Sequence, residues 1–158
     1  MIFLECYNDE AVVRGLGFSR SAVEHEASKG RVAKALQKAP RGKHTGLVDQ
    51  DPGSSPPGYF REFTVIEQAP QFSLVRYRHR QDGKELIEIQ PDLEPWLYSA
   101  ASQAGIKPGA FHLPERHQLL HDNPKVHAQR VTELVKALLA AQCAHLTTLK
   151  NWLDDVCR

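Results

Sequence analysis

The sequence predicts an α/β fold: a central, mainly parallel sheet flanked by helices, followed by a late β-hairpin and C-terminal helices. Three observations carry that expectation. Two short apolar runs, Met1–Leu4 and Thr45–Val48, are separated by helix-start signals in the order of a parallel βαβ crossover. Asp82-Gly83 joins two β-like runs as a hairpin turn does. Asn123-Pro124 then opens a long apolar stripe with helical spacing.

The 158 residues suit one domain over 1–158, with a core over about 1–104 and a helical extension over about 105–158. Charged residues make up 25% and hydrophobic ones 41%, and the net charge is +1, so any polyanion contact must come from a local patch. Three cysteines (Cys6, Cys143, Cys157) are too few for a disulfide framework and contain no C-x-x-C pair. That favours a reducing, cytoplasmic setting. The four apolar residues before Glu5 make neither a signal peptide nor a membrane anchor, so no membrane partner is expected.

Met1–Leu4 reads as a strand ending in Glu5. Asn8-Asp9-Glu10 supplies a cap and first-turn acids for a helix over about 9–16, closed by Gly15 or Gly17. Ser21 and Glu24 have capping-box spacing, which predicts a helix over about 22–39 with Val32, Ala35 and Leu36 inward. Arg31, Lys34 and Lys38 share its other face. The strand over Thr45–Val48 leads into Asp49 and Asp51, and the Pro- and Gly-rich stretch Pro52–Gly58 is a loop. Strands are expected over Phe63–Gln68, Phe72–His79 and Glu85–Ile89, the last two as antiparallel neighbours. Asp92 is placed as the N-cap of a helix running to about Gln103. Residues 105–122 give no clear pattern. The stripe from Val126 onward continues to Leu153 with a break near Cys143, and it leaves room for a homodimer.

The acids carry the functional signal. Strands of a parallel sheet present function at their carboxyl ends, and here those ends carry Glu5, Asp49 and Asp51. Converging carboxylates repel unless a cation sits among them, and hard divalent cations take oxygen ligands. Against this, Asp-x-Asp before Pro-Gly is ordinary turn chemistry. His112, His117 and His121 lack a zinc-site pattern and read as surface residues. No G-x-x-x-x-G-K or G-x-G-x-x-G run is present to cradle a nucleotide.

An apolar strand ending in Glu5, with Asp9 at the next helix start, and a later strand ending Asp49-x-Asp51 resembles the Toprim domain. That domain is shared by topoisomerases, primases and the overcoming-lysogenisation-defect nucleases. The stand-alone length and the run Pro91-Asp92-Leu93-Glu94-Pro95-Trp96-Leu97 are similar to the nuclease branch. The chain departs from the pattern at Cys6, where the family has glycine, and in the proline-rich loop after Asp51.

The resemblance implies a Rossmann-like sheet and metal-dependent hydrolysis of phosphodiesters in DNA or RNA. Glu5, Asp49 and Asp51 would be catalytic and would hold Mg²⁺ or Mn²⁺ with Asp9. Glu94 or Asp92 would serve a second ion. It also implies a separate ATPase as partner, in phage defence. Arg31, Lys34, Lys38, Arg41 and Lys43 lie in the most basic run and are the candidates for nucleic-acid contact; Arg76, Arg78, His79 and Arg80 form a second cluster. Two alternatives stay open: a Toprim-like interaction module with weak or no catalysis, and a phosphatase of the haloacid-dehalogenase sort with Asp49 as nucleophile.

Overall fold

A computed structural model describes residues 1–157. Among these residues the chain forms six strands and five α-helices. In order they are β1 (Ile2–Leu4), α1 (Tyr7–Gly15), β2 (Val23–His25), α2 (Lys29–Lys38), β3 (Thr45–Asp49), β4 (Phe63–Ala69), β5 (Leu74–His79), β6 (Glu85–Ile89), α3 (Leu93–Gln103), α4 (Pro124–Ala140) and α5 (Ala144–Cys157). The strands make one sheet in the order β2-β1-β3-β6-β5-β4. β1 pairs parallel with β2 and β3, and β3 pairs parallel with β6. β5 is antiparallel to both β6 and β4. The fold is thus α/β with a mixed, mostly parallel sheet of the Rossmann-like kind.

Alternation along the strands divides the core into two layers. Ile2, Leu4, Leu47, Ile87 and Ile89 face a large cluster shared with α1, α3, α4 and α5. Phe3, Val48 and Leu86 face a smaller one built with Val32, Ala33 and Leu36 of α2 and the aromatic pair Phe60 and Phe63. Gly46 is what lets α2 lie close on β3: a Cβ there would meet Val32 Cγ1 at 2.9 Å and Leu36 Cδ1 at 3.0 Å. Trp96 and Trp152 are buried, as their apolar surroundings in sequence suggest.

Several boundaries differ from the sequence reading. The helix expected over 22–39 is a strand and a shorter helix. Val23–His25 adds to the edge of β1, Ala27 then takes a left-handed backbone (φ 65°), and Ser28 is the true cap, its Oγ accepting the Arg31 N–H at 3.2 Å. The capping-box spacing of Ser21 and Glu24 was therefore a false signal, overridden by sheet pairing. Helix α1 begins earlier than expected, with Cys6 as N-cap and Asp9 as its capping-box partner. Strand β5 starts at Leu74, not Phe72, because Pro70–Phe72 forms a 3₁₀ turn ended by left-handed Ser73. The patternless stretch 105–122 holds two 3₁₀ turns, Pro108–Phe111 and His117–Leu120. The break near Cys143 is real: Gln142 has φ 56° and separates α4 from α5.

Candidate metal centre

The parallel pairing of β1, β3 and β6 brings their carboxyl ends to one edge. The chain after each end carries acid: Glu5 after β1, Asp49 and Asp51 at β3, Asp92 and Glu94 after β6. The in-register pairing of Asp49 with Ile89 sets the turn after β3 beside the turn after β6. Gln50 N–H donates to Ile89 O at 2.9 Å and Asp51 N–H to Pro91 O at 3.3 Å, so the two turns are tied together. Asp51 itself has φ 51°, a left-handed conformation that aspartate adopts more readily than most residues.

These ties assemble a triad. One carboxylate oxygen each from Asp49, Asp51 and Asp92 lies within 4.8 Å of the others, and all three residues are at least partly exposed. Oxygens around Mg²⁺ sit about 2.1 Å from the ion and around Ca²⁺ about 2.3–2.6 Å, which puts opposite ligands about 4–5 Å apart. The triad can accept a cation of that size with little movement. Among the described residues no histidine or cysteine joins such a cluster.

The electrostatics agree with an acid cluster short of positive charge. Asp49 is pushed up to about 9, first by burial and then by Asp9, Glu5, Glu94 and Asp92. Asp92 is also raised, by burial and then by Asp51 and Glu94, with His121 opposing. The nearby cation is Lys29, the first residue of α2, whose Nζ donates to the carbonyls of Asp49 and, at 2.9 Å, of Gln50. A bound divalent ion would offset the repulsion among these carboxyl groups.

Each expected residue has a definite place. Glu5 stands beside the triad: its Oε1 accepts the Asp49 N–H at 2.8 Å, and its side chain lines an open pocket with Lys29, Ser28 and Asp51. Burial raises its pKa, partly offset by that N–H and by Lys29. Asp9 is buried, and its Oδ2 accepts the N–H groups of Glu5 at 3.1 Å and Cys6 at 2.9 Å. It is the capping-box acid of α1, raised to about 7 mainly by burial. Asp49 Oδ1 accepts the Leu93 N–H at 2.9 Å, so it performs the capping that the sequence assigned to Asp92. Released from that task, Asp92 faces Asp51. Glu94 is buried, its Oε1 accepting from Asn8 Nδ2 at 2.9 Å. Its Oε2 lies 3.0 Å from His121 Nε2, within ion-pair distance but outside hydrogen-bond geometry.

The basic residues divide. Helix α2 runs back across the sheet, about 15 Å over ten residues. Arg31 therefore stays near the acidic edge, Lys34 lies part-way along, and Lys38, Arg41 and Lys43 are carried to the opposite edge. There the Lys43 carbonyl accepts from the Met1 ammonium at 3.3 Å. Most of the second basic cluster is spent internally. Arg76 bonds Glu85 at 2.6 Å and Asp155 at 3.1 Å, Arg78 bonds Glu85 at 2.7 Å, and His79 meets Glu62 at 3.0 Å.

Asp92 as a partner of the β3 acids, and Lys29 as their cation, were the residues hardest to see in sequence. Both depend on β6 and α2 lying beside β3, which no local pattern states. Among the described residues no helix is long and apolar enough to cross a membrane. Comparison with family models, curated proteins and solved structures returns no match.

Proposed function

We propose that this acidic edge holds Mg²⁺ or Mn²⁺ and hydrolyses phosphodiester bonds of DNA or RNA, in the manner of a Toprim-like nuclease. The observation that carries the reading is the Asp49, Asp51 and Asp92 triad at the ends of neighbouring parallel strands, with Glu5 joined to Asp49 from the next strand. Order and spacing of the two acidic motifs support the family resemblance, and the sheet order β1-β3-β6 supports their convergence.

The triad would be the ligand set, with Glu5 at its border. When bound, a divalent ion offers Lewis-acid activation of water and charge stabilisation at a scissile phosphate. The chain's own residues supply the rest. Lys29 Nζ is fixed by the Asp49 and Gln50 carbonyls at the rim of the pocket that Glu5 and Asp51 line, where it can meet a phosphate oxygen. The Glu5 carboxylate accepts the Asp49 N–H and lines the same pocket, where it can orient water. Asp9 holds the first turn of α1 and Glu94 ties α3 to α1 through Asn8. A separate ATPase partner and a role in phage defence belong to the resemblance and travel with it.

The test is nicking of supercoiled plasmid and of a labelled RNA in Mg²⁺ and in Mn²⁺. Cleavage by the wild type and its loss in Asp51→Asn are expected; equal cleavage by both proteins would sink the assignment. One observation favours the interaction-module reading: Asp9, the second acid of the first motif, is closed off by two backbone N–H groups. A protein that takes up metal yet cuts neither polymer would support that alternative.

A further inference from the structure

The geometry points to the groove between α1 and α4 as the surface that binds the phosphodiester strand, in place of the α2 run. This rests on the nuclease reading for its ligand and extends it to a binding path. The two helices lie side by side and parallel. Lys125 Nζ sits 5.0 Å over the Tyr7 ring, Thr132 Oγ1 donates to Ala11 O at 3.1 Å, and Gly15 packs against Val135. The groove between them, about 480 Å³, is lined by Arg14, Arg20, Lys125 and Lys136. Among the described residues one acid, Glu10, lines it.

Three of these cations, Arg14, Arg20 and Lys125, are exposed and form no ion pair among the described residues; Lys136 pairs with Glu133 at 3.0 Å. Arg14 Nη1 is held by Phe18 O at 2.7 Å, which fixes the guanidinium and leaves its other N–H groups to a ligand. One end of the groove is Tyr7, two residues from Glu5, so the cationic path opens onto the acidic edge. Tyr7 is stacked on His25 at 4.4 Å between ring centres and is itself exposed, a rigid aromatic corner at the junction. By contrast the α2 groove mixes Arg31, Lys34 and Lys38 with Glu24 of β2 and Glu26 just after it, and those acids repel phosphate. The nine residues of α1 span about 13 Å, room for about four nucleotides of one strand.

The probe is a fluorescein-labelled 20-nucleotide single strand, titrated in EDTA by anisotropy over a series of salt concentrations. Arg20→Ala with Lys125→Ala is expected to flatten the slope of log K against log salt by about 1.4. At 0.1 M salt this amounts to about 25-fold weaker binding. Should that pair lower Tm, Arg20→Gln with Lys125→Gln removes the same charge. The competing surface is tested with Lys38→Ala and Lys43→Ala. Three results overturn the inference: no binding by the wild type at 50 mM salt, an unchanged slope in the Arg20/Lys125 variant, or a larger loss in the Lys38/Lys43 variant. The nuclease reading fails separately, when Asp51→Asn binds and cuts as the wild type does.

Discussion

Replacing Asp49 by asparagine removes an ionisable carboxyl from the triad while leaving an oxygen to accept the Leu93 N–H. The folded protein holds the Asp49 proton up to a pKa of about 9, whereas the ordinary value is 3.8. Between those limits the native state binds more protons than the unfolded chain, so stability falls as pH rises. The ceiling for one group is about 1.4 kcal/mol per pH unit, or about 3 kcal/mol between pH 6 and pH 8. For a chain of this size that is roughly 5–10 °C in Tm. Asparagine mimics the protonated acid and escapes this loss. The variant should therefore be the more stable protein in EDTA, by a margin that widens from pH 6 to pH 8. Because the carboxyls titrate together, the margin reports the cluster rather than one microscopic pKa. Adding Mg²⁺ at about 100 times its dissociation constant should raise wild-type stability by about 2.7 kcal/mol and leave the variant nearly unmoved. Scanning calorimetry of both proteins, with and without metal, reads all of this. A margin that is constant with pH, or an equal metal shift in the variant, would refute the reasoning.

Other consequences test the frame that holds the site. Gly46→Ala forces Val32, Leu36 or Leu86 aside and should cost about 1–3 kcal/mol, seen as a lower urea midpoint with an unchanged m-value. Arg76→Ala removes one of the two partners of buried Glu85 and should cost about 3–5 kcal/mol; loss below 1 kcal/mol in denaturant titration would mean that Arg78 alone satisfies Glu85. Asp9→Ala leaves the amides of Glu5 and Cys6 without their acceptor and should lower stability by about 1–2 kcal/mol. Its metal-induced Tm shift should remain, because Asp9 lies outside the triad.

Much of the fold was legible because apolar runs with acids or Gly at their ends mark strands whatever lies around them. β1, β3 and β6, the hairpin at Asp82-Gly83 and the start of α4 at Asn123-Pro124 all follow from local chemistry. β2 did not, since Val23-Glu24-His25 is too short to show alternation and becomes a strand only by pairing with β1. The site was half legible. Asp49 and Asp51 announce themselves by spacing, but which acid completes the cluster is a question of register across β3 and β6. That register sets Asp92 in the triad and Glu5 at its edge. The roles of Asp9 and Asp92 were exchanged for a similar reason. Side-chain capping at α1 falls to Cys6 and Asp9, and at α3 to an acid from another strand altogether.

The Asp49 N–H donates to Glu5 Oε1 and the Leu93 N–H to Asp49 Oδ1, so the acids of this edge are also its joints. β1, β3 and α3 are hinged together through carboxyl groups of the acidic cluster and its border. Opening this edge and dismantling the site are consequently one event, with one free energy. The amide protons of Asp49 and Leu93 are its clock: their exchange with solvent times how often the protein lets its own centre come apart.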